Sequence, residues 1–67
     1  MISERDVWRA AVAMVRRYGG NARVESAVRV VALNQDGDLQ GSAAWHRVMV
    51  AIERLQARRP SPGETIQ

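Results

Sequence analysis

The sequence contains no cysteine, no phenylalanine and no lysine. Without cysteine there is no disulfide, no thiolate nucleophile and no thiolate metal ligand, so the usual staples of very small domains are missing. Sixty-seven residues make one domain near the lower limit at which buried apolar surface offsets chain entropy. Self-association is the expected supplement. No apolar run approaches the ~20 residues that span a bilayer. No basic segment followed by an apolar one stands at the start, so a soluble cytoplasmic protein with no membrane partner is expected.

All ten basic residues are arginine, set against seven acids, for a formal charge of +3. Arginine offers a planar fork of donors that suits carboxylates, phosphates and aromatic faces. A net charge of this size is weak for a dedicated nucleic-acid binder, and Arg, Ala, Val and Gly are enriched together, as GC-rich coding favours.

The stretch that organises the chain is Gly37 to Leu55, a tight turn feeding an amphipathic helix. At the helical period Trp45, Val48, Met49, Ile52 and Leu55 form one stripe, extended by Gly41, Ala44 and Ala51, while Arg47, Arg54 and Arg58 fall opposite. Gly41 sits in the first turn on the inner side. Its expected reason is close approach of another backbone or an aromatic ring.

Two further helices precede this one. Ser3 is placed to cap the first, with Asp6 three residues on and the Ile2–Val7 spacing of a hydrophobic staple. Its inward stripe reads Val7, Ala11, Met14, Val15 and Tyr18, with Arg5, Arg9 and Arg16 outside, and Gly19–Gly20 stops it. Asn21 is placed to cap the second helix, whose stripe of Val24, Ala27, Val28 and Val31 is expected to face the core. Leu33 falls off that stripe. Asp36-Gly37-Asp38 forms the next turn, with Gly37 left-handed and Asp38 capping the third helix, so helices two and three are antiparallel or steeply angled neighbours.

No polar constellation points to catalysis. Ser42 and His46 lie at i and i+4 with Glu53 further on, but groups strung along one helix do not converge, Glu53 being about 10 Å of rise beyond His46. Ser42 and His46 read as solvent-facing, and a lone His without cysteines or nearby carboxylates is not a metal site. No catalytic residue, metal, cofactor or small-molecule substrate is assigned. A helix-turn-helix outline is visible, but the N-terminal end of the third helix carries Asp36 and Asp38 and no basic residue before Arg47, which opposes groove entry. Arg5, Arg9, Arg16 and Arg17 on the first helix remain the candidate nucleic-acid contacts. Apolar residues off the inward stripes are the candidate protein interface: Trp8 and Val12 on helix one, Leu33 on helix two, and Val50, about 140° round helix three from Trp45 at 100° per residue.

The opening ISERDVW, the turn GDLQG and the following Trp45, Ala51, Ile52 and Leu55 resemble a family of short bacterial all-helical proteins known as a domain of unknown function. The resemblance spans Ile2 to about Gln56 and implies three helices, with no activity, ligand or catalytic residue to carry over. The chain departs from that pattern at Asn21 and Arg23, where acidic residues usually begin helix two, and at Val31, where a polar residue is common. These departures make helix two more basic and more apolar.

The expected fold is all-α, a small three-helix bundle over residues 1–58 (helices about 4–18, 22–35 and 39–57) followed by a disordered tail at 59–67. The expected function is a non-catalytic protein–protein interaction module that self-associates as a dimer or binds another protein. The alternative is a small basic nucleic-acid-binding or regulatory protein.

Overall fold

A computed structural model describes residues 2–57, and the tail expected at 59–67 lies outside them. The described chain is all-α. Helix α1 runs Glu4–Tyr18, a single 3-10 turn follows at Gly19–Asn21, α2 runs Ala22–Gln35 and α3 runs Leu39–Ala57. No helix among the described residues is long and apolar enough to cross a membrane.

Local chemistry sets the helix ends. The Ser3 hydroxyl accepts a 3.2 Å bond from the Asp6 amide, satisfying one of the donors that the first turn leaves free. Glu4 and Asp6 in that turn and Arg16 and Arg17 in the last complement the helix dipole. Gly19 ends α1 with φ +57°, a conformation open to glycine. Asn21 does occupy the position before α2, but its side chain makes no capping bond. The 3-10 turn substitutes for it, because it runs straight into the helix and gives the Ala22 amide the Gly19 carbonyl.

The α2–α3 turn is a Schellman closure: the Asp38 amide reaches back to the Leu33 carbonyl (2.9 Å) and the Gly37 amide to that of Asn34 (3.1 Å), with Gly37 at φ +80°. Asp38 then starts α3, its carboxylate accepting from the Gly41 amide at 2.8 Å. Gly41 leaves room for that cap. A Cβ there would lie 2.5 Å from the Asp38 Oδ2, so the expected backbone or ring neighbour is in fact the cap itself.

Helices α2 and α3 form an antiparallel hairpin tied at both ends. The Ser42 hydroxyl donates to the Val30 carbonyl (3.2 Å) near the turn, and Arg23 pairs with Glu53 (2.9 Å) far from it. Helix α1 lies across the same α3. Arg47 donates to the Ile2 carbonyl at one end and the Gln56 amide to the Gly19 carbonyl at the other, so α1 and α3 advance in the same sense.

The core is Val7, Ala11, Met14, Ala22, Val48, Ala51 and Ile52, with Ile2, Trp8, Ala10, Val15, Tyr18, Trp45 and Leu55 partly buried against it. Three of the seven buried apolar side chains are alanine, and the largest fully buried ones are Ile52 and Val48. This inner set includes Val7, Ala11 and Met14 of the α1 stripe and Val48, Ala51 and Ile52 of the α3 stripe.

Helix α2 faces the other way from its apolar stripe. Its buried residues are Ala22 and Ser26, and the half-buried Arg29, Val30 and Leu33 continue their line. Val24, Val28 and Val31 are 55%, 58% and 55% exposed. The expectation that these valines face the core is therefore overturned. Size accounts for it: Ala22 and Ser26 are fully buried, and valines in their place would add bulk to a packed interior.

Candidate protein-interaction surfaces

Among the described residues, apolar surfaces of different electrostatic character lie outside this core. The first lies between α1 and α3. Trp8 and Val50 line a shallow groove over Val7 and Ala51, with Glu4, His46, Arg47 and Arg54 around it. Along the outer side of α1 the same Trp8 continues to Val12 and Ala13, between Arg5, Arg9 and Arg16. Beyond Val12 a further depression holds Val15, Leu55 and the glycines of the α1–α2 connection.

Three of the four expected interface residues, Trp8, Val12 and Val50, are thus brought onto one continuous surface. Leu33 is not among them. It is half-buried in the line that α2 turns toward its neighbours, at i+11 from Ala22 and i+7 from Ser26. Having taken the valine stripe as inward, the periodicity argument necessarily placed Leu33 outward. Of the four expected nucleic-acid contacts, Arg5, Arg9 and Arg16 share the outer side of α1. Arg17 stands apart, its guanidinium 5.5 Å from the centre of the Tyr18 ring.

The second surface is the outer face of α2, lined by Val24, Ala27, Val28, Val31, Ala32 and Gln35. Among the described residues, no charged side chain lines it. The two arginines nearest in sequence are directed elsewhere: Arg23 to Glu53, and Arg29 over the rings of Trp45 and Tyr18. Five large apolar side chains are exposed among the described residues, and three of them are these valines, with Val12 and Leu39 elsewhere. The sequence carried this signal plainly as the i, i+3, i+4, i+7 spacing. What it lacked was any sign that the stripe belongs to a surface.

Ser42, His46 and Glu53 are not assembled into a site. The Ser42 hydroxyl, expected to face solvent, is half-buried and bonded to the Val30 carbonyl. Glu53 is held by Arg23, and His46 is exposed beside the Trp8 groove. Compared with known protein families, with curated proteins and with solved structures, the chain matches none.

Proposed function

We propose that this chain is a non-catalytic protein–protein interaction module, a small three-helix bundle that self-associates through exposed apolar surface. The observation that carries the reading is the α2 face, where Val24, Val28 and Val31 each leave more than half of their surface in water. A contiguous apolar face on so thinly cored a chain marks a place where another surface is expected to bind. Burying it removes apolar area from water at ~25 cal/mol per Å², the same effect that drives folding.

The direct test is solution mass by light scattering or sedimentation as a function of protein concentration, in low salt and again in high salt. Apolar association raises the mass with concentration in both buffers. A monomer at every concentration refutes self-association.

A second reading is supported by the outer side of α1, where Arg5, Arg9 and Arg16 gather with no carboxylate among the residues lining that surface. There the chain binds a nucleic-acid backbone without reading sequence. Such binding falls steeply with added salt, at about 0.9 log unit in affinity per log unit of salt for each phosphate neutralised on duplex DNA. Titration of a labelled duplex at several ionic strengths separates the two readings.

A further inference from the structure

We infer that the partner of the α2 face is a second copy of this chain, with the two α2 helices packed antiparallel about a two-fold axis passing between Ala27 and Val28. The inference rests on the self-association reading and says where and how the copies meet.

The first argument is symmetry. Val24, Ala27, Val28 and Val31 are separated by steps of three, one and three residues, a spacing that reads the same in both directions. Such a spacing suits an isologous contact, in which each side chain meets a fitting one when the same helix is reversed. Reversal about the proposed axis sets Val24 against Val31 of the second copy and Ala27 against its Val28. The small residue at the centre then faces a larger one, which lets the helices come close without a void.

The second argument is charge. Copies of a chain with a formal charge of +3 repel each other, so they meet most easily where they carry no charge. The α2 face meets that condition, since no charged residue among those described lines it. The surface around Trp8 and Val12 does not, because pairing it with itself would set Arg5, Arg9 and Arg16 against the same three residues of the second copy. An uncharged face also offers nothing to a phosphate backbone or to an anionic membrane.

The contact is one helix pair about 21 Å long at 1.5 Å per residue, at the small end of specific interfaces, so the dimer is expected to dissociate on the order of tens of micromolar. The absence of native cysteine permits a cross-linking test on the full chain. Val28→Cys, close to the axis, should form a disulfide-linked dimer rapidly under mild oxidation. Val24→Cys mixed with Val31→Cys should give mainly the mixed dimer, whereas Val24→Cys alone should cross-link slowly. Val50→Cys serves as the reference for random collision. Val28→Glu should lower the mass to that of a monomer with unchanged helical circular dichroism, and Val50→Glu should leave the wild-type mass unaltered.

If wild type dimerises while Val28→Cys links no faster than Val50→Cys, or if Val50→Glu rather than Val28→Glu dissociates it, the α2 pairing is wrong and self-association stands. Rapid linkage of Val24→Cys to itself would overturn the antiparallel arrangement. A wild-type monomer up to millimolar concentration would remove both the pairing and the self-association reading.

Discussion

The guanidinium of Arg29 lies 5.0 Å from the centre of the Trp45 ring, and the same group is 5.9 Å from that of Tyr18. Arg29 belongs to α2, Trp45 to α3 and Tyr18 to α1, so one side chain on the inner side of α2 links all three helices. A half-buried guanidinium over aromatic faces is worth between about 0.5 and 2 kcal/mol. Arg29→Ala is expected to cost about 1 kcal/mol and lower the melting temperature by roughly 4–8 °C, the shift that 1 kcal/mol produces in a domain of this size. Arg29→Lys should recover less than half of the loss, because an ammonium has no plane to stack. Thermal melts followed by circular dichroism decide this, and equal stability of wild type and Arg29→Ala would remove the linking role.

Asp38 and Gly41 predict a non-additive pair. Glycine inside a helix costs about 1 kcal/mol relative to alanine, and loss of an Asp cap costs ~1 kcal/mol. In wild type a new Cβ at residue 41 must displace the Asp38 carboxylate from its 2.8 Å bond, so Gly41→Ala should gain little. In an Asp38→Ala background the carboxylate no longer stands in the way, and the same change should stabilise by about 1 kcal/mol. Urea titrations of wild type, both single variants and the double variant measure the coupling. Equal effects of Gly41→Ala in the two backgrounds would show that the cap does not dictate the glycine.

The helix ends were legible because their causes are local. Ser3, Gly19, Gly37 and Asp38 act within a few residues of where they stand, so the sequence carries both partners of each interaction. The α1 face was legible too, since Arg5, Arg9 and Arg16 leave one direction for Val7, Ala11 and Met14. Helix α2 defeated the same logic. It has an apolar face at Val24, Ala27, Val28 and Val31 and a small-residue face at Ala22 and Ser26, and periodicity measures the angle between faces without saying which one a neighbour covers. Arg29 was missed because an arginine reads as surface, while its worth here depends on two rings distant in sequence. The bonds from Ser42 to Val30 and from Arg23 to Glu53 were hidden for the same reason, their partners lying on the other arm of the hairpin.

The Arg23–Glu53 pair is expected to contribute little despite its 2.9 Å separation. Its side chains are 54% and 44% exposed, and exposed ion pairs measured by double-mutant cycles contribute between about 0.2 and 1 kcal/mol. A cycle through Arg23→Ala and Glu53→Ala should return a coupling below about 0.5 kcal/mol in physiological salt, smaller still at 1 M. A coupling well above that range would mean that the pair fixes the α2–α3 alignment.

Ser26 supplies the sharpest test of that packing. It is 0% exposed, and its hydroxyl has no hydrogen-bond partner among the described residues. A buried hydroxyl without a partner costs about 1–3 kcal/mol, and serine is also a poorer helix former than alanine. Ser26→Ala keeps the side chain small, removes the unpaired group and should therefore stabilise the fold by about 1 kcal/mol, raising the melting temperature by roughly 4–8 °C. Ser26→Val is the opposite case: its added bulk falls at a fully buried position, so a loss of about 1–3 kcal/mol is expected. The pair of variants separates polarity from volume. If Ser26→Ala destabilises, the hydroxyl is satisfied in solution, and if Ser26→Val is tolerated, the small-residue face is not what turns the α2 valines outward.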